Sequence, residues 1–124
     1  MDKFINEMFP IKLLDIGVPT RNNHVYNINV ANYIVETINN NKPDYVYSHL
    51  ASFPVGQIIK AYIVQDMMIY VDVKFFDTVD GRRYCDIGEN ALDILEGYPC
   101  GNGYVSEKGI VSDYRLDFVV LTVN

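Results

Sequence analysis

The segment PVGQIIKAYIVQDMMIYVDVKFFDT, residues 54–78, predicts the centre of the fold. Apolar and polar residues alternate strictly from Ile69 to Phe75, which is typical of a strand with one buried face. The run from Ile58 to Val64 is rich in β-branched and aromatic residues, which favour a pleated strand. Because Gln65-Asp66 is the polar break between the two runs, we expect a β-hairpin that turns at these residues.

The segments before the hairpin predict a strand and a helix. A first strand is expected at Ile11–Val18, after residues 1–10, which we assign to a loosely held arm or a short lead-in. Asn27 or Asn29 is expected to cap a helix that ends at residues 39–41. Its apolar stripe consists of Val30, Tyr33, Ile34 and Ile38.

The segments after the hairpin predict a turn, a second helix and a final strand. Asp80-Gly81 is a strong turn signal. A helix is expected over Asp86–Glu96, with Gly97 as its C-terminal stop. We expect residues 98–104, YPCGNGY, to form a rigid loop and Gly109–Val123 to be mostly strand. The predicted buried face of this helix consists of Ile87, Ala91, Leu92 and Leu95.

Length and element order predict one domain over residues 1–124. The expected class is α+β, with a small antiparallel, curved or barrel-like β-sheet and two helices packed on it. The net charge of −6 disfavours binding to nucleic acid or to anionic membranes. No segment resembles a signal peptide or approaches the roughly 20 apolar residues that cross a bilayer, so we expect synthesis in a reducing cytoplasm.

The chain lacks the spacing of a metal site. Cys85 and Cys100 do not form a CxxC motif, and His24 and His49 are far apart. A turn and a helix cap explain two of the three acids at Asp77, Asp80 and Asp86 more simply than a cation does. We therefore expect no metal, no cofactor and no small-molecule ligand.

Three blocks occur in order along the chain. The first is VPTRNNHVY at residues 18–26, followed by the predicted helix. The second is His49, then Pro54-Val55-Gly56, the hairpin and the ending DTVDG at residues 77–81. The third is a helix that ends at Gly97, a Gly-rich loop and a final strand. Across about residues 11–123, this order resembles the prohead (assembly) proteases of tailed phages, whose fold is shared with herpesvirus assemblin. In the first block, the positions that match the family pattern are Arg21, Asn22 and Tyr26.

The resemblance implies a serine protease with a His, a Ser and a third acid or His. His49 stands where the family has its catalytic His, and Cys100 stands where the family has its Ser. Ser106 lies past the glycines, and Asp117 lies several residues before the place of the third member. We therefore expect no catalytic set, although in a protease His49, Cys100 and Asp117 would form it. The simpler interpretation is that Cys100 is a small apolar loop residue and that His49 lies at the surface or is hydrogen-bonded.

Tyrosine is abundant, and its role has two interpretations. Tyr is enriched at protein interfaces, but Tyr on half-buried strands also places its hydroxyl in water. Both interpretations apply to seven tyrosines: Tyr45, Tyr47, Tyr62, Tyr70, Tyr98, Tyr104 and Tyr114. The final strand is apolar on both faces near its end, which indicates that both faces are covered or that one contacts a partner. The residues expected to contact a partner are Tyr70, Tyr114, Phe118 and Val120.

These observations give three functional hypotheses. The first is a structural protein of the virion, made in the host cytoplasm, with a protease-like fold and no activity. It would decorate or cement the capsid by binding the major capsid protein, with self-contacts between copies. The alternative is an active prohead maturation protease that cleaves scaffold and capsid proteins. The third is a small phage regulator or anti-defence binder.

Overall fold

A computed structural model describes residues 4–41, 44–48 and 53–124. These residues form two α-helices, a short 3₁₀ turn at Leu92–Ile94 and six strands. The helices are α1 (Ile28–Asn40) and α2 (Val79–Ala91). The strands are β1 (Phe4–Asp15), β2 (Asp44–Ser48), β3 (Pro54–Val64), β4 (Met68–Phe76), β5 (Leu95–Val105) and β6 (Val111–Val123).

The predicted hairpin is confirmed as β3 and β4. Gln65 and Asp66 both have φ values of 55°, and the Met67 N–H donates to the Val64 carbonyl over 3.0 Å. Positive φ at both central residues is characteristic of a type I′ turn, whose backbone twist matches that of the flanking strands. The predicted alternation in β4 also holds, because its four apolar side chains are fully buried: Ile69, Val71, Val73 and Phe75.

The strands close into a barrel in the order β1-β4-β3-β2-β6-β5. The α+β class, the barrel-like sheet and the presence of two helices are therefore confirmed. The expectation of a purely antiparallel sheet is wrong, because β2 pairs parallel with β6 and β1 pairs parallel with β5 at Lys12 and Glu96. Both parallel pairs join strands that are distant in sequence, which hairpin signals cannot reveal.

The first strand begins earlier than we predicted from the sequence. We expected Ile11–Val18, but β1 covers Phe4–Asp15, and Gly17 and Val18 lie beyond its end. Residues 4–10, which we had assigned to an arm or lead-in, pair with β4 instead. A register shift between Phe4 and Met8 interrupts the alternation of this segment and hides the strand from a pattern of period two.

Helix α1 begins and ends as predicted, and it packs against the barrel. The Asn27 side chain caps the helix by accepting from the Val30 N–H over 3.1 Å. Within the described residues, the pairing of β2 with β3 extends to Ile58, and α1 packs against β3 and β6. The Asn39 amide accepts from the Ala61 N–H over 2.8 Å and donates to the Ala61 carbonyl over 2.9 Å.

The buried stripe of α1 differs from the prediction at one position. Val30, Ile34 and Ile38 are buried as expected, together with Ala31. Tyr33 is 42% exposed, so it lies outside the stripe.

Helix α2 begins seven residues earlier and ends five residues earlier than predicted. Asp80-Gly81 is not a turn but part of the first helical turn, and the Thr78 side chain caps it by accepting from the Gly81 N–H over 3.1 Å. A Cβ atom at Gly81 would lie 1.9 Å from the Phe76 carbonyl oxygen, and one at Gly88 would lie 2.9 Å from the Phe9 ring. These glycines therefore allow close packing of the helix, which is a role that turn statistics do not reveal. The buried face of α2 consists of Gly81, Tyr84, Cys85 and Gly88 rather than the predicted set.

The predicted stop at Gly97 and the predicted loop at residues 98–104 are also wrong, because both belong to β5. This segment pairs antiparallel with β6, with Cys100 opposite Phe118. Residues 98–104 have low strand propensity, but their pairing with the long strand β6 decides their conformation. The final strand was expected to be apolar on both faces near its end, and there Val119, Val120 and Leu121 are all buried.

Candidate functional site

A groove opens on the outer surface between the C-terminal end of α1, strand β2 and the middle of β6. Its volume is about 620 Å³. Helix α1 contributes Thr37 and Asn41, and the parallel pairing of β2 with β6 brings Tyr47 next to Val120. A cavity of this size is large enough for several side chains of a partner.

Aromatic side chains form much of the groove wall. Val46 and Ser48 are buried on one face of β2, so Tyr45 and Tyr47 face the other side, where the groove lies. The Tyr47 and Phe118 rings meet nearly edge to face, with centroids 5.8 Å apart and planes at 70°. Phe118 is 45% exposed and Tyr45 is 39% exposed, so both present apolar ring surface to solvent.

A buried hydrogen bond holds the end of β2 in place. The hydroxyl groups of Ser48 and Tyr84 lie 2.6 Å apart, and both residues are buried. The Tyr84 ring also stacks on Phe75, with centroids 6.0 Å apart. Helix α2 therefore anchors the strand that carries the tyrosines of the groove.

The charged residues among the described lining residues of the groove are acidic. Asp44 and Asp117 line it, and no described lining residue is Lys or Arg. The Arg115 Nε atom lies 3.9 Å from Asp117 Oδ1, with side-chain exposures of 74% and 43%. Such an exposed ion pair contributes little to stability, so another cation can replace Arg115 beside Asp117.

The structure places Cys100 in an environment that disfavours a nucleophilic thiolate. Cys100 is half-buried on β5, opposite Phe118. Burial, and secondly the charge of Asp117, raise the pKa of its thiol. Reactive cysteines usually lie near positive charge, which stabilises the thiolate, whereas the charge that acts on Cys100 among the described residues is the negative charge of Asp117.

The other predicted protease residues do not form a site among the described residues. His49 lies outside the part of the chain that the structure describes. Ser106 belongs to the turn between β5 and β6, where its Oγ atom accepts from the Ile110 N–H over 3.1 Å. That bond gives Ser106 a structural role in the turn.

The four predicted contact residues divide into two groups. Tyr114 and Val120 are 8% and 6% exposed, so both are buried, although Val120 lines the groove. Phe118 is exposed in the groove, and Tyr70 is half-buried and stacks on Tyr62, with centroids 6.3 Å apart. Tyr45 and Tyr47 were among the tyrosines considered for an interaction surface, and both line the groove. The contact of Tyr47 with Phe118 could not be predicted, because it depends on the long-range pairing of β2 with β6.

Acidic groups also meet away from the groove. Asp77, Asp80 and Asp86, which were considered for a cation, do not form a ligand cluster among the described residues. Asp77 accepts a hydrogen bond from Arg82, and Asp80 lies in the first turn of α2. Glu7, Cys85 and Glu89 instead place one ligand-type atom each within 4.8 Å of one another. Burial, followed by interaction with Glu89, raises the pKa of Cys85 to about 11, and the Cys85 Sγ donates to Glu89 Oε1 over 3.5 Å. This arrangement keeps a proton on the thiol.

A comparison with protein-family models, curated proteins and solved structures found no match to this chain. The resemblance to prohead proteases therefore stays a prediction from the sequence. Neither helix of the described residues is long and apolar enough to cross a membrane.

Proposed function

We propose that this chain is a non-catalytic protein-binding domain that serves as an auxiliary (decoration or cement) protein of a tailed-phage capsid. The observation that carries the binding role is the groove at β2 and β6, where aromatic rings face solvent beside a carboxylate. Aromatic residues are enriched in protein interfaces because they bury large areas at low entropic cost. The partner of this proposal is the major capsid protein, with additional contacts between copies.

The surroundings of the predicted nucleophile support a role without catalysis. A working nucleophile needs an adjacent base or a lowered pKa. Burial and Asp117 raise the pKa of Cys100, and Ser106 is engaged in a turn. The assignment to a phage particle rests on the resemblance of sequence order to the prohead proteases.

Quantitative mass spectrometry of purified virions tests this proposal. We expect the protein at high copy number, in proportion to the major capsid protein. Absence or trace amounts would overturn the auxiliary role and favour a protease or a regulator.

A genetic experiment separates the auxiliary role from proteolysis. We expect phages that carry Cys100→Ala, Ser106→Ala or His49→Ala to process their scaffold normally. Accumulation of uncleaved scaffold in any of these mutants would contradict the proposal. Incubation of the purified protein with its scaffold, with and without a thiol alkylator, is the matching assay in vitro, and we expect no cleavage in either case.

A further inference from the structure

The aromatic surfaces of the groove are suited to a cation. The faces of Tyr and Phe rings carry negative electrostatic potential, which attracts Lys and Arg side chains within about 6 Å of the ring centre. Tyr45, Tyr47 and Phe118 line the groove, and Tyr45 and Phe118 are more than one third exposed. A side chain that enters the groove therefore meets ring surface directly.

The carboxylate of Asp117 adds charge complementarity beside these rings. Asp117 is adjacent to Phe118 on β6 and lines the same groove. Its nearest described cation, Arg115, is 3.9 Å away, and its side chain is 74% exposed. A partner cation that is partly desolvated by the aromatic wall can therefore replace Arg115 at Asp117.

Size and charge indicate the kind of occupant. About 620 Å³ accommodates several side chains of an extended segment but not a folded domain. A second copy of this acidic chain, with its net charge of −6, is a poorer match to the acidic lining than a basic segment.

We propose that the groove binds a basic, extended segment of a partner protein, with an Arg or Lys side chain packed on Phe118 and paired with Asp117. This inference rests on the proposed protein-binding function and adds the chemistry of the partner. It does not depend on the location of the protein in a virion.

Fluorescence anisotropy of a labelled short peptide with alternating Arg and Ala residues tests the proposal at about 0.15 M ionic strength. Two matched peptides carry citrulline or Glu in place of Arg, so they keep the length and remove or reverse the charge. We expect the Arg peptide to bind and the other two not to bind. Asp117→Asn and Phe118→Ala should each weaken binding about threefold to tenfold, since each removes one contact to the cation.

Two control variants distinguish the groove from the general acidity of the chain. Asp113→Asn removes the same charge from the same strand at an exposed residue outside the groove, and Asn tolerates the positive φ of 49° there. Tyr104→Ala removes an aromatic ring that is 65% exposed outside the groove. We expect both control variants to bind like the unmodified chain, with circular dichroism spectra that match for all four variants.

Three results would overturn the proposal. The first is equal weakening by Asp113→Asn and Asp117→Asn, which would show attraction to net charge alone. The second is equal binding of the citrulline and Arg peptides, which would show a groove that selects apolar or neutral segments. The third is sedimentation of the unmodified chain as a dimer that Phe118→Ala dissociates, which would make a second copy the occupant. Because these measurements use purified protein, a virion without the protein would reject the capsid role and leave the peptide result intact.

Discussion

The substitution Asn39→Ala tests how helix α1 is joined to the barrel. The Asn39 amide makes two hydrogen bonds to the backbone of Ala61, which is 1% exposed, at a place where β3 has no strand partner in β2. Alanine removes both bonds and leaves a backbone N–H and a carbonyl without these partners. Each buried backbone group that loses its partner costs about 1–3 kcal/mol.

We expect a net loss of about 2–3 kcal/mol in the free energy of unfolding. The estimate lies in the lower part of the range because Asn39 is half-buried, so water can reach part of the site, and because Ala favours helix by up to about 0.7 kcal/mol. Urea denaturation followed by far-ultraviolet circular dichroism measures the change. With a slope of about 1.5–2 kcal/mol per M, the midpoint should fall by about 1–2 M.

Asn40→Ala is the matched control, because Asn40 is the next residue of the same helix and is exposed. Its free energy of unfolding should stay within about 0.5 kcal/mol of the unmodified chain. If Asn39→Ala and Asn40→Ala have the same midpoint, the two hydrogen bonds to Ala61 do not hold α1 on the barrel and the reasoning fails.

Three further predictions concern α2, the hairpin and the thiol. Gly81→Ala should lower the free energy of unfolding by about 2–3 kcal/mol in urea denaturation, because its Cβ would lie 1.9 Å from the Phe76 carbonyl oxygen. An unchanged midpoint would contradict the close packing of α2 at Phe76. Burial and a hydrogen bond to a carboxylate raise the pKa of Tyr62 to about 12, so the stability from its protonated hydroxyl is present below pH about 10 and lost as the pH rises through about 12. Denaturation at several pH values should therefore show the advantage over Tyr62→Phe shrinking across this window, and a constant difference would refute the assignment. In a chain with Cys85→Ala, Cys100 should react with iodoacetamide more slowly than a free thiol at pH about 8. Asp117→Asn should accelerate this reaction. A rate equal to or above that of a free thiol would indicate an activated cysteine instead.

The sequence predicted the elements that depend on neighbouring residues. The hairpin at residues 54–78 and the Asn27 cap were correct, because alternation and capping act over a few positions. Helix α2 was misplaced because Gly81 has a packing role against β4 rather than a turn role. Strand β5 was missed because its pairing with β6, and not its own composition, decides its conformation.

Single residues of the groove could be predicted from the sequence, but their assembly into one site could not. Phe118 was named as a contact candidate because the final strand is apolar on both faces near its end, and it is 45% exposed. Tyr47 joins it through the parallel pairing of β2 with β6, which connects segments far apart in the chain. Likewise, the sequence suggested Cys100 as a nucleophile by position alone, whereas its pKa depends on burial and on Asp117.

The closure of the barrel between β1 and β5 has a consequence for its dynamics. Within the described residues, the two strands share one register pair, Lys12 with Glu96, whereas β1 and β4 pair along most of their length. A ladder with few hydrogen bonds opens at a lower free energy than a long one. In native-state hydrogen exchange, the amides along this seam should therefore exchange before those of the hairpin. The barrel then behaves as a sheet with a preferred line of local opening between β1 and β5.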